Sequence, residues 1–186
     1  MRFKAIVMGV SAGGLSTLSK IFIHLKKGFA VPIAVVQHLH PTQNMSYITI
    51  LNNQSALPVL EIRDKQAYFP ANIYIAPPDY HAHFESNGEF SLSIDEKVNH
   101  CRPSVDVLFE SAARVFGKEL LGIVLTGANA DGAKGLQLIK EVGGGTIVED
   151  PATAEHPFMP NAALKLIQPD YVLEAEKIAK KLNELC

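Results

Sequence analysis

Apolar and polar positions fall into short blocks along this chain, and their period changes from one block to the next. Phe3 to Met8 is a continuous apolar run, too brief for a helix and rich in Ile, Val and Met, so it reads as a buried strand. Leu15, Leu18, Phe22 and Leu25 follow at helical spacing and predict a helix with one apolar face. The alternation continues with a strand over Val31 to Gln37, a helix around Thr42 to Asn53, a strand near Leu57 to Ile62 and another over Asn72 to Ala76. Two short alternating runs come next, Ala82 to Glu85 and Glu89 to Ile94. Ser86-Asn87-Gly88 between them predicts a tight antiparallel hairpin. Pro103 is expected to open a helix that Gly117 closes. Leu120 to Leu125 reads as a strand, Leu136, Ile139 and Val142 mark a helix, and Gly145 to Val148 is a further strand. Helices over Pro160 to Ile167 and Glu174 to Leu185 complete the chain. Strands alternating with helices predict one α/β domain, a doubly wound, mainly parallel sheet with the hairpin as an antiparallel insertion.

Composition narrows the function classes. At 186 residues and 47% hydrophobic, the chain can bury a continuous core as one domain. A net charge of −2 with scattered Lys and Arg gives no field for a polyanion, so nucleic acid is not an expected partner. No apolar stretch approaches the roughly 20 residues of a membrane span, and Phe3 to Met8 is too short for a signal peptide. Two cysteines, Cys101 and Cys186, suit a reducing cytoplasm, the expected location. His100 beside Cys101 suggests a Cys-His pair, but neighbours on an extended segment point opposite ways, so the pairing reads as incidental.

The candidate chemistry begins at Gly9-Val10-Ser11-Ala12-Gly13-Gly14, directly behind the first strand and ahead of the first helix. G-x-S-x-G on a strand-to-helix turn is the nucleophile-elbow pattern, which lifts a serine hydroxyl off the sheet edge. A Gly-rich turn there can equally cradle the phosphates of a dinucleotide. That use wants an acid at the end of the second strand, where this chain has Gln37-His38-Leu39-His40, and the missing acid favours catalysis. In a parallel sheet, chemistry gathers at the carboxyl ends of the strands. Ser11, His38 and Asp131 each follow a different apolar strand, so the sheet is expected to bring them together. Ser11 would be the nucleophile, His38 its base and Asp131 the group that orients the imidazole. The backbone N–H of Ala12 is the natural first donor to an oxyanion.

The chain resembles the catalytic domain of bacterial chemotaxis protein-glutamate methylesterases, the CheB family. The likeness rests on six motifs in order: Gly9 to Gly14, Val36-Gln37-His38-Leu39, Tyr74-Ile75-Ala76-Pro77, Arg102-Pro103-Ser104-Val105-Asp106-Val107-Leu108-Phe109, Leu125-Thr126-Gly127 through Asp131-Gly132, and Met159-Pro160. It implies the same trio of Ser11, His38 and Asp131. The implied reaction is hydrolysis of glutamate γ-methyl esters on chemoreceptor signalling helices, releasing methanol, with glutamine deamidation as a second activity and no cofactor. The partners implied are methyl-accepting chemotaxis receptors or a related methylated signalling protein. The resemblance also suggests Ala128 as a second backbone oxyanion donor. Arg102, just before the helix that Pro103 is expected to open, is expected to lie near the site and to help bind an acidic receptor helix. The segment around Met159 is implied as a wall of the cleft.

Three departures from the family pattern stand out. Ala12 occupies a position that is commonly Thr, and Gly127-Ala128-Asn129-Ala130-Asp131-Gly132 replaces the common Gly-Met-Gly-Asn-Asp-Gly. The third concerns organisation: residues 1–186 read as a catalytic domain without the N-terminal receiver domain usual in the family. Two other readings remain: a non-catalytic receptor-docking module, and a metallohydrolase built on His38-x-His40, His81-x-His83 and Asp131.

Overall fold

The computed structural model describes residues 3–38 and 46–186. Nine strands and six helices follow in chain order among them: β1 (Ala5–Val10), α1 (Gly14–Phe22), β2 (Ile33–Gln37), α2 (Ser46–Gln54), β3 (Val59–Glu61), β4 (Ile73–Ile75), β5 (His81–Phe84), β6 (Phe90–Ser93), α3 (Val105–Phe116), β7 (Leu120–Val124), α4 (Ala133–Glu141), β8 (Gly145–Glu149), α5 (Phe158–Leu166), β9 (Tyr171–Leu173) and α6 (Ala175–Leu185). Seven strands form one sheet in the order β3-β4-β2-β1-β7-β8-β9, every neighbouring pair parallel. β5 and β6 pair antiparallel as a separate two-stranded sheet, the hairpin that Asn87-Gly88 predicts. The expected α/β architecture is the one observed.

Burial explains why the central strands read as unbroken apolar runs. β1, β2, β7 and β8 are buried at every position, because helices cover both faces of the sheet. One face packs Met8, Val10, Ile33 and Ile123 against Leu18, Phe22, Ile178 and Leu182. The other packs Val7, Val36 and Val124 against Val105, Leu108, Phe109, Leu136 and Ala163, with Phe84 and Phe90 of the hairpin closing one end.

Three elements differ from their expected form. The first part of the helix expected around residues 42–53 lies outside the described residues, and α2 begins at Ser46. β9 was not expected: three residues, largely exposed at the sheet edge, carry no periodic signal. Pro103 does not open α3. Ser104 is the N-cap, in extended conformation with its hydroxyl facing the Val107 N–H, and the helix starts at Val105.

The strand order fixes where a site can form. From β1 the chain winds outward through β2 and then returns to the other side of β1 at β7. The crevice beyond the carboxyl ends of β1 and β7 is therefore the sheet's switch point, where ligands bind in open α/β sheets.

Candidate active site

Ser11 follows β1, and its backbone is held from three sides. Its N–H donates to the Thr126 carbonyl at 3.0 Å, and its own carbonyl accepts from Gly14 N–H and from Gln37 Nε2 at 2.9 Å. Gly13, at φ 78°, supplies the left-handed turn that sends the chain into α1. Thr126, at the end of β7, ties the turn to the rest of the sheet. Its hydroxyl donates to the Ala12 carbonyl at 3.0 Å and accepts the His156 N–H at 2.9 Å, while its N–H donates to the buried Glu149 carboxylate at 2.7 Å. Burial raises the Glu149 pKa.

Asp131 follows β7 and is fully buried. Five donors converge on its carboxylate. Oδ2 accepts from His38 Nε2 at 2.9 Å and from Val105 N–H at 2.6 Å. Oδ1 accepts from the Ser104 hydroxyl at 2.8 Å, Asn99 Nδ2 at 2.9 Å and Asp106 N–H at 3.3 Å. The first amides of α3 thus cap the carboxylate, and the positive end of a helix favours the anion there. Burial alone would raise the Asp131 pKa, but the hydrogen bonds from His38 and Asn99 and the neighbouring charge of His38 hold it below the usual carboxylate range. α3 reaches this close because β1 has no side chain at Gly9, where an added Cβ would lie 2.2 Å from Val105 Cγ1.

His38 follows β2, its side chain only 11% exposed. Asp131 engages Nε2, so Nδ1 is the ring nitrogen turned away from it. Nδ1 accepts from Asn129 Nδ2 at 3.0 Å, and the Cys101 thiol lies 4.0 Å away. Burial lowers the His38 pKa, but the hydrogen bonds to Asp131 and Cys101, with the charges of both, outweigh it and raise the value from 6.5 to about 9. Among the described residues the Ser11 hydroxyl makes no hydrogen bond, and the N–H groups of Ala12 and Ala128 have no acceptor. Two open depressions are lined by residues of this region. One, of about 980 Å³, is lined by Ser11, Ala12, His38, Tyr47 and Ile50. The other, of about 790 Å³, is lined by Ala128, Lys134, His156, Phe158 and Lys165.

The two expected substrate contacts differ in their surroundings. Arg102 is committed within the fold: Nε and Nη2 donate to Asp79 Oδ1, and Nη1 donates to the carbonyls of Ile94 and Asp95. Its guanidinium fastens the hairpin to the segment before α3 and has few donors to spare. Met159 is fully buried in the core, its N–H donating to the Gly127 carbonyl. Its sulfur packs at Gly127 on the side of Ser11 Cβ, and the neighbouring Phe158, 59% exposed, lines the second depression with His156 and Pro157, as expected of the segment around Met159.

The expectation for Cys101 also changes. Asn99 and His100 have φ of 51° and 63°, so this segment is a left-handed turn rather than extended chain, and it aims the thiol at His38. His38, Cys101 and Asp131 bring ligand atoms within 4.8 Å of one another, but the five donors already fill the Asp131 carboxylate. The two other histidines of the metal reading do not join them. His81 is buried, with Nε2 on the Glu96 carbonyl and Nδ1 accepting Ser104 N–H, and His83 faces Ser93. His40 lies outside the described residues.

Sequence reasoning missed Ser104, Asn99 and Asn129, which hold Asp131 and His38. The available signal was Ser104 two residues before an acid and ahead of an apolar helical stretch, an N-cap pattern that Pro103 obscured.

Comparison with known proteins identifies the family. The profile of the CheB methylesterase family matches residues 6–182. A candidate protein-glutamate methylesterase/protein-glutamine glutaminase of Leptospira interrogans is 44% identical over 180 residues, 97% of this chain and 93% of that protein. The protein-glutamate methylesterase/protein-glutamine glutaminase of Thermotoga maritima is 38% identical over 185 residues, 98% of this chain but 54% of that protein. The crystal structure of the Thermotoga maritima CheB methylesterase catalytic domain matches with a TM-score of 0.95, covering 100% of both chains at 38% identity. With a seven-stranded parallel sheet of the same form and sequence likeness along nearly its whole length, the chain belongs to the CheB methylesterase family.

Proposed function

We propose that the chain is a serine hydrolase that removes γ-methyl esters from glutamates on chemoreceptor signalling helices, releasing methanol, and that deamidates selected glutamines at the same site. The observation that carries this reading is the His38–Asp131 pair, 2.9 Å apart at the switch point of the sheet, beside a serine pinned through its backbone. His38 Nδ1 takes the proton as Ser11 Oγ attacks the ester carbonyl. Asp131 holds Nε2–H and stabilises the imidazolium that forms. The N–H groups of Ala12 and Ala128 receive the oxyanion, and donors fixed in advance need no reorganisation as charge develops. Methanol leaves with the proton from His38, and water then releases the glutamate. Lys134 and Lys165 beside Phe158 give the second depression a cationic and apolar wall suited to an acidic amphipathic helix. Residues 1–186 act here as one catalytic domain. No described helix is long and apolar enough to cross a membrane, and we place the reaction on the cytoplasmic side of the receptors.

The test is methanol release from methylated chemoreceptor membranes, with Ser11→Ala in parallel. Release by the wild type alone supports the reading. Equal release by both proteins, or none by a well-folded wild type, overturns it.

A further inference from the structure

One residue in the site does no work in that mechanism and stands in its way. Asn129 Nδ2 donates to His38 Nδ1 at 3.0 Å, and this is the nitrogen that must accept the Ser11 proton. The amide cannot be turned round. Its Oδ1 accepts the Asp131 N–H at 2.9 Å, a turn contact two residues along the chain, which leaves Nδ2 facing the imidazole. A second weak contact runs from Nδ2 to the Cys101 sulfur at 3.8 Å. Asn129 is half-buried, so water competes poorly for either group.

We propose that Asn129 caps the catalytic base, so that the site rests with His38 Nδ1 withheld from Ser11. This rests on the Ser11–His38–Asp131 reading and adds a positioning residue to it. A neutral His38 with its proton on Nε2 offers one lone pair, and that lone pair is spent on an amide donor that has no labile proton to exchange. The imidazolium has no lone pair to offer at all. Both resting forms are idle, and turnover requires the Asn129 amide to swing off Nδ1. The cap also favours the Nε2–H tautomer, which is the one the triad needs. Among the described residues, the titratable groups facing the ring are Asp131, on the loop after β7, and Cys101, before α3. Gln37 holds the His38 backbone carbonyl from β2 and is neutral. Asn129 opposes protonation of the ring, because an Nδ1–H would meet the amide donor to donor.

The test uses an alkyl fluorophosphonate, small enough to reach Ser11 without a receptor. The Oγ–P bond forms, the P–F bond breaks, fluoride leaves, and the hydroxyl proton passes to His38 Nδ1. Rate constants are measured from pH 5 to 10 in the wild type, Asn129→Ala, Asn129→Asp and Ser11→Ala, and repeated in a Cys101→Ser background to remove the thiol's titration. Removing the cap in Asn129→Ala should raise the plateau rate about three- to tenfold and move the midpoint upward by about half a unit to one unit, the worth of one ordinary hydrogen bond. Asn129→Asp is isosteric and keeps the acceptor for Asp131 N–H, but it turns a carboxylate oxygen toward Nδ1. It should hold the proton on that nitrogen and slow the reaction at pH 7 at least about tenfold. Opposite signs in the two variants establish the cap. Slower reaction in both with an unmoved midpoint means that Asn129 is structural, and the proposal falls. Labelling at Ser11 that neither substitution alters also overturns the cap while leaving the triad standing. Labelling unchanged in Ser11→Ala brings down the triad reading, and the cap with it.

Discussion

The two ends of this site are built to opposite specifications. At the Asp131 end, a carboxylate with no exposed surface takes hydrogen bonds from a histidine, a serine, an asparagine and two backbone amides, and the chain around it packs against the start of α3. At the Ser11 end, the backbone is pinned but the hydroxyl has no partner among the described residues, and it lines an open depression. On the proposed reading, the difference separates two needs of acyl transfer. The group that orients the base gains from being over-determined, since a misplaced imidazole is a lost base. The nucleophile must change partners within each turnover, and a strong ground-state bond would only hold it back.

The sharpest way to break this contrast is to strike its rigid end. Asp131→Asn keeps the shape but removes the charge that holds Nε2–H, and kcat should fall on the order of 10⁴-fold by analogy with the same change in serine proteases. Methanol release with the fold checked by circular dichroism measures it, and a loss under tenfold would mean that Asp131 does not orient His38.

Acid strikes the base itself. His38 must be neutral to accept a proton, and its pKa is raised to about 9, so activity should be low at pH 6 and climb through pH 7–9. Below the midpoint each unit of pH should bring about a tenfold change. A profile flat from pH 6 to 8 would contradict a base with a raised pKa.

Gly9→Ala attacks the packing that seats α3. The added methyl would collide with Val105, so it should destabilise the fold by about 1–3 kcal/mol and pull the helix amides off Asp131. Denaturant unfolding and kcat should fall together, and an unchanged kcat would show that the seat of α3 is not needed. The smallest effect is expected from Ser104→Ala, which removes one of five donors and the N-cap, costing about 0.5–2 kcal/mol of stability and only a minor part of kcat. A loss as large as that of Asp131→Asn would mean that the carboxylate is not over-determined.

The sequence disclosed the frame of this molecule better than its joints. Buried parallel strands such as β1 and β7 are written as apolar runs, so the sheet and the three loops at its edge could be read directly. Ser11 and His38 could be proposed because each sits just past such a run, and Asp131 because it lies in the loop that follows one. The partners of Arg102 and Met159 could not be read, because neither residue type reports them. An arginine beside a helix start gives no sign that Asp79 and two hairpin carbonyls will occupy it, and a methionine next to Phe158 gives no sign which of the two turns inward. The incidental reading of His100 beside Cys101 rested on an extended segment, and nothing in Asn99-His100 announces the left-handed turn found there. Contacts across large separations in sequence, such as Asn129 with His38, are set by the closing of the sheet and leave no local pattern.

The account turns on which side chain carries the acyl group, because His38 stands near both the Ser11 turn and the Cys101 thiol. Rapid acid quench during turnover of a γ-methyl glutamyl peptide, followed by mass spectrometry of the digested protein, measures this directly. A glutamyl adduct on the peptide containing Ser11, absent in Ser11→Ala, is the predicted result. An adduct on Cys101, or methanol release with no covalent adduct in any variant, would contradict it.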